Sequence, residues 1–203
     1  MSKPRLVYFD APVSRGEECR LALHLAGVDF EDVRVKRDQW PGLKPTTPFG
    51  AVPIWEEEGR PPLPQSNAIL TLVGGRHGLH PKDDFEAARH LSMMEHVEDL
   101  RHQVSPTLRI SNPEEKRTAR EALATGFLPQ WGERTERQLG DGPFFAGAKL
   151  HVVDLKLFIA VRWFVSGTID HVPSTVFDPF PKLMRLFAAV RDDARVRAWY
   201  GKT

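Results

Sequence analysis

Apolar and polar positions change period several times along the first third of the chain, and each change predicts an element. Leu6-Val7-Tyr8-Phe9 is an unbroken apolar run and predicts a buried strand. Ser14 to Ala26, with Cys19, Leu21, Leu23 and Leu25 apolar, predicts a helix that Gly27 stops. Val28 to Val35 alternates apolar with polar residues, as a half-buried strand does. Gln39 to Phe49 is rich in Pro and Thr and predicts irregular backbone. Val52 to Trp55 and Pro62-Leu63 flank Glu56-Glu57-Glu58-Gly59, a hairpin signal. Ser66 to Val73 then predicts a helix closed by Gly74-Gly75.

That order, strand–helix–strand and then a hairpin and a helix, is a thioredoxin-like layout with a parallel pair and an antiparallel edge. Beyond Arg76 the period becomes helical. Gly78-Leu79-His80-Pro81 reads as a linker. Phe85 to Leu108 carries Leu91, Met94, Val97, Leu100 and Val104 at spacings of three or four. Asn112-Pro113-Glu114-Glu115 opens another helix, with proline near its first turn. Gly140-Asp141-Gly142-Pro143 is a loop, and Val152 to Val165 is apolar enough for the centre of a helical core. The five tryptophans and Phe158 to Phe164 read as core residues. Asp178-Pro179-Phe180-Pro181 breaks the chain before the amphipathic stretches Lys182 to Val190 and Ala194 to Tyr200. The expected organisation is an α/β thioredoxin-like N-terminal domain over 1–76, a linker over 77–83 and an all-α C-terminal helical domain over 84–203.

Composition narrows the function classes. The 203 residues carry 28 Lys plus Arg against 27 Asp plus Glu, a net charge of +1, which points to neither nucleic acid nor a membrane surface. No apolar run reaches the length of a membrane span, and Met1-Ser2-Lys3-Pro4 lacks a signal-peptide core. Cys19 is the only cysteine, so no intramolecular disulfide can form, and a reducing, cytoplasmic location is expected.

The segment Gly50 to Ile69 carries the chemistry. Val52-Pro53 is an X-Pro bond in a short strand, where a cis peptide is cheap and leaves the Val52 backbone free to pair with a peptide-like ligand. Ser66 stands at the expected N-cap of the next helix, where carboxylates are attracted. These features predict a site for a small anionic peptide. Other candidates read as structure. Cys19 lies among apolar helical residues as a buried thiol. Glu95, Glu98 and Asp99 share one helical face, at i, i+3 and i+4, and read as a solvated acidic face rather than a cation site. His90, His96 and His102 recur every six residues, which is not a metal-ligand spacing on a helix. No metal is expected.

Read in order, these residues make the chain resemble a cytosolic glutathione transferase, closest to the sigma-type, tyrosine-using branch. Tyr8 matches that family's tyrosine at the end of the first strand. Arg15 and Glu17-x-x-Arg20 match its first helix, and Trp40-Pro41 with Lys44 its irregular second-helix region. Pro48-Phe49-Gly50 with Val52-Pro53, and Gln65-Ser66 with Ala68-Ile69, match two further signatures. Glu95, Glu98 and Asp99 match an acidic set on the first long helix, and Asp154 an aspartate of the helical core. Three departures stand out. The loop after Tyr8 is about one residue longer, which leaves Ser14 as a competing hydroxyl. His151 replaces the usual capping Ser or Thr, and Arg60-Pro61-Pro62-Leu63-Pro64 is unusually rich in proline.

The resemblance implies a homodimeric enzyme whose co-substrate is glutathione and whose second substrate is a small hydrophobic electrophile. A thiol of pKa ~8.5 is mostly protonated at neutral pH, so the enzyme must favour the thiolate. Tyr8 is the implied hydroxyl donor to sulfur, and Arg15 adds positive potential. Trp40 and Lys44 suit the glycyl carboxylate, and the backbone at Val52-Pro53 the cysteinyl amide. Gln65 and Ser66 suit the γ-glutamyl carboxylate, and Asp99, delivered by a partner subunit, the ammonium group. Val104 and Leu108 are the candidate contacts for the electrophile, placed between the Tyr8-to-Ser14 loop and the first long helix. Glutathione-dependent isomerisation or peroxide reduction needs the same thiolate and is the alternative. A non-catalytic carrier of hydrophobic ligands, or a protein-interaction module, would not require Tyr8, Arg15, Gln65, Ser66 and Asp99 together.

Overall fold

The structure, a computed structural model, describes residues 2–201. Its internal contacts divide the chain into two units, one of residues up to Ala87 together with those from Ala194 on, the other Ala88–Asp193.

The first unit is built on a four-stranded sheet in the order β2-β1-β3-β4. Strand β1 (Arg5–Phe9) is central, and Leu6, Val7 and Tyr8 are all buried, as a strand covered on both faces requires. The helix α1 (Ser14–Leu25) carries the chain to β2 (Glu31–Val35), which pairs parallel with β1. Gln39 to Phe49, expected to be irregular, instead holds a short helix α2 (Trp40–Leu43) and a 3-10 turn (Lys44–Thr46). Pro41 and Pro45 sit in the first turns of these pieces, where a missing N–H costs nothing. Strands β3 (Ile54–Glu56) and β4 (Leu63–Pro64) form the expected antiparallel hairpin, with Pro64 on the edge. The helix α3 (Ser66–His77) runs through Gly74-Gly75 and ends at Gly78, whose φ of 69° gives the left-handed cap. Side chains alternate across the sheet. Val7, Val35 and Ile54 form one small core with Val33, Leu43 and Val52, while Tyr8 points to the opposite face, against α1.

Within the second unit the central element is α7 (Val152–Val165), on which only Arg162 and Val165 escape full burial. The long helix α4 (Asp84–Val104) starts in the first unit and ends in a 3-10 turn, Ser105–Arg109, short of the predicted Leu108. Asn112 caps α5 (Pro113–Ala122) by accepting from the Glu114 and Glu115 N–H groups, at 2.9 and 3.2 Å. A π-helical turn, Leu123–Phe127, joins α5 to α6 (Leu128–Gln138). The helix α8 (Pro181–Asp192) completes this unit. Trp131 and Trp163 are core, as expected, and Trp55 is buried in the first unit, whereas Trp40 and Trp199 are only half-buried.

The last helix, α9 (Ala194–Tyr200), has its contacts on α1. Trp199 Nε1 donates to Glu17 at 2.8 Å, and the Trp199 ring lies 5.2 Å from that of His24. The periodicity of Ala194 to Tyr200 shows an amphipathic helix but not which core it covers. That is why the sequence groups it with the helical half.

Candidate active site

The sheet register collects the first-unit residues. Val7 of β1 lies opposite Ile54 of β3, and Ile54 opposite Pro64 of β4. Phe9 pairs with Val35 at the end of β2. The carboxyl ends of β1, β2 and β4 and the amino end of β3 therefore share one edge of the sheet. At that edge the chain delivers Tyr8 and the loop to Arg15, then Trp40 and Lys44, then Val52-Pro53, and finally Gln65-Ser66. In open α/β sheets, the carboxyl ends of the strands are where ligands bind.

Tyr8 is 7% exposed, with its ring against α1. The Arg20 guanidinium lies 5.7 Å from the ring centroid. Arg20 is itself fully buried and held by Asp32 at 2.8 Å and by the Phe9 and Ala11 carbonyls at 3.0 and 2.9 Å. Its NH1 lies 3.6 Å from Glu17, the carboxylate that accepts from Trp199. The sequence pairs Glu17 with Arg20 only by spacing. That Arg20 clamps the turn after β1 requires the fold, because its partners are backbone carbonyls. Arg15 is half-buried in the first turn of α1.

Ser14 opens α1, where the sequence predicts the helix to begin. It is not the N-cap of α1; Val13 is, and no side-chain cap bond is made there. Ser14 is the first helical residue and has a φ of 59°, a left-handed conformation uncommon outside glycine.

Trp40 lies edge-on to Phe9, with ring centroids 5.2 Å apart. Lys44 is exposed and opens the 3-10 turn. Val52-Pro53 is cis, as predicted. Helix α3 starts at Ser66 as predicted, but its N-cap lies one residue earlier than expected. Gln65 is the N-cap, at φ 74°, and makes no side-chain cap bond, while Ser66 is the first helical residue and 3% exposed. Ile69 N–H closes the first intrahelical bond on the Gln65 carbonyl, so the N–H groups of Ser66, Asn67 and Ala68 precede the helical ladder. Such a terminus favours a carboxylate.

The second-unit candidates fare unequally. Asp99 is exposed on α4, and Leu108 is 50% exposed. Val104 is fully buried, since the apolar stripe that makes it a candidate turns it into the core of its own unit. The acidic face is also smaller than its sequence suggests. Glu98 accepts from Arg101 at 2.7 Å and from the buried Lys156 at 2.6 Å, which neutralises it within the fold. A cavity of about 370 Å³ is lined by Arg89, Met93, His96, Arg134 and Phe145, without Val104 or Leu108. His96 stacks on Trp131 there, and burial holds its imidazole below the ordinary value.

His151 does N-cap α7, and Asp154 completes the turn. The Asp154 carboxylate accepts from Phe145 N–H at 2.7 Å and His151 N–H at 2.8 Å. Burial pushes that carboxyl from 3.8 up to about 7, against the pull of these backbone donors.

Comparison with known proteins gives these residues a family. The profile described as "Glutathione S-transferase, N-terminal domain" matches residues 4–73, and that described as "Glutathione S-transferase, C-terminal domain" matches residues 98–203. The chain is 42% identical to "Glutathione S-transferase 1" of Ascaris suum over 110 residues, a match that covers 54% of this chain and 52% of that protein. It is 29% identical to "Hematopoietic prostaglandin D synthase" of Gallus gallus over 203 residues, covering 100% of this chain and 97% of that one. Among solved structures, prostaglandin synthase D of Nilaparvata lugens superposes with a TM-score of 0.86 at 27% identity, over 99% of this chain and 98% of that chain. A sheet that delivers these motifs to one edge and two domain profiles that together span most of the sequence lead to one conclusion: the chain belongs to the glutathione S-transferase family.

Proposed function

We propose that glutathione binds at the strand-end edge of the first unit and that its thiolate attacks a small hydrophobic electrophile. The observation that carries this reading is the β1-β3-β4 register, which brings Tyr8, Val52 and Ser66 to one end of the sheet from three separate stretches of sequence. Tyr8 donates its phenol hydrogen to the thiolate, and Arg15 adds positive potential. A phenol is a stronger donor than the Ser14 alcohol, and each pKa unit of thiol depression corresponds to about 1.4 kcal/mol. Lys44 and the Trp40 indole take the glycyl carboxylate, the Val52 backbone beside Pro53 takes the cysteinyl amide, and Gln65, Ser66 and the start of α3 take the γ-glutamyl carboxylate. Holding the tripeptide in one pose supplies much of the rate. Leu108 supplies apolar surface for the electrophile. The enzyme is read as a cytoplasmic detoxifying homodimer in which Asp99 of the partner subunit meets the glutathione ammonium.

The test is the ultraviolet absorbance of bound glutathione thiolate against pH. Tyr8→Phe is expected to raise the thiol pKa and slow conjugation near neutral pH while barely changing glutathione affinity, and higher pH recovers part of the rate. A titration moved by Ser14→Ala and not by Tyr8→Phe would reverse the assignment. Glutathione-dependent isomerisation is the second reading, favoured by the full-length similarity to a protein named as a prostaglandin D synthase. Sedimentation at micromolar concentration tests the dimer, and a monomer alone would remove the role given to Asp99.

A further inference from the structure

On the face of α1 beneath the Tyr8 ring stands Gly16, at the third position of the helix and buried. A Cβ placed on Gly16 would lie 1.9 Å from Tyr8 Cδ1, 2.1 Å from Cγ and 2.6 Å from Cε1. The two nearest, Cδ1 and Cγ, lie on the backbone side of the ring, and a ring flip about Cβ–Cγ leaves Cγ in place. The backbone of Tyr8 cannot retreat, because β1 is a central strand paired there with Arg34 of β2. The ring also meets the Phe9 ring, with centroids 5.5 Å apart, and Arg20, whose guanidinium is fixed by Asp32 and two carbonyls. Elsewhere in a helix interior, glycine is inferior to alanine. Here the missing methyl is the space that the ring fills.

We propose that Gly16 is a positioning residue for the reaction: its bare backbone sets the depth and angle at which the Tyr8 hydroxyl meets the glutathione sulfur. The inference rests on the role assigned to Tyr8. Any side chain at position 16 pushes the ring off α1. A rigid ring magnifies a displacement of its near edge at its far end, where the hydroxyl is. The binding groups for the rest of glutathione lie on other segments and are left in place.

Three variants test this: Gly16→Ala, Tyr8→Phe and the double variant, with glutathione as the probe. Gly16→Ala is expected to shift the bound-thiolate titration upward, toward that of Tyr8→Phe. It should lower conjugation at neutral pH roughly tenfold, the factor carried by one unit of thiol pKa. The glutathione Kd should stay within about twofold, since its other contacts remain. The double variant should be no slower than Tyr8→Phe. A Gly16→Ala protein with the wild-type titration and rate would overturn the proposal. Failure of the Tyr8 reading is distinguishable, because Tyr8→Phe would then leave the titration unmoved.

Ring position is read independently by fluorine NMR of 3-fluorotyrosine protein, since Tyr8 and Tyr200 are the only tyrosines. Gly16→Ala should move the Tyr8 resonance and leave that of Tyr200 in place; an unmoved Tyr8 signal also overturns the proposal. Should Gly16→Ala fail to fold, Tyr8→Ala decides, because it removes the Cγ and Cδ1 atoms that meet the added methyl. With the ring gone, Gly16→Ala should fold and raise Tm, as alanine does in an ordinary helix. If it unfolds that background as well, the ring is not what excludes the methyl, and the proposal falls.

Discussion

Single residues of this site show both what a sequence motif carries and where it stops. Tyr8, Trp40, Lys44, Pro53 and Gln65 were legible as candidates because each belongs to a short pattern with its own chemistry. Ser14 was not legible in the same way. A serine before a helix reads as a cap, yet the backbone turns at Val13 and leaves Ser14 inside the helix at φ 59°. A left-handed conformation costs a non-glycine residue about 1–2 kcal/mol. Ser14→Gly is therefore expected to stabilise the fold by up to about 1 kcal/mol, after the larger chain entropy of glycine is offset. Ser14→Ala, which loses no cap bond, should be close to neutral. Urea denaturation of both variants checks this. Clear destabilisation by Ser14→Gly would mean that the hydroxyl or the side chain does more than occupy the turn.

Elements are decided by how their ends are satisfied as much as by their interiors. Helix α3 passes through two glycines because the left-handed stop it needs is supplied one turn later, at Gly78. The start of α7 depends on Asp154, whose two backbone partners lie in the preceding loop and at the cap. The folded pKa of that carboxyl, about 7, exceeds its ordinary 3.8. The folded protein thus keeps a proton that the unfolded chain has lost over this range. The sign follows: the stabilisation from protonation is complete below about pH 4 and is lost as pH rises through about 7. Asp154→Asn removes this titration. The stability of wild type relative to Asp154→Asn should fall steadily between pH 5 and 8 in urea midpoints. A gap that widens with pH would show the carboxylate to be the favoured form.

At the scale of the whole chain, α9 returns to the unit in which the chain begins. Val196 is 1% exposed, and Trp199 donates to the buried Glu17, so the end of the chain completes the unit with which it begins. Burial of one aliphatic side chain and one charge-assisted hydrogen bond suggest about 3 kcal/mol for this helix. Truncation after Asp193 is expected to lower the unfolding free energy by that order and to weaken glutathione binding through the loosened Glu17–Arg20 pair. Thermal unfolding with and without glutathione reads both effects, and an unchanged Tm would sink the idea. The sequence by itself determined the strand–helix–strand, hairpin and helix order of the first unit, the α/β and helical halves, the cis Val52-Pro53 bond and most first-unit candidate residues. It could do so because periodicity, turn chemistry and short motifs are local. Tertiary structure alone decided that α9 belongs with α1, that Val104 and Glu98 are consumed by the core, and that Tyr8 rests on the bare backbone of Gly16. Each of these depends on which surfaces meet across long sequence separations, and no local pattern encodes which partner a buried face or charge will find.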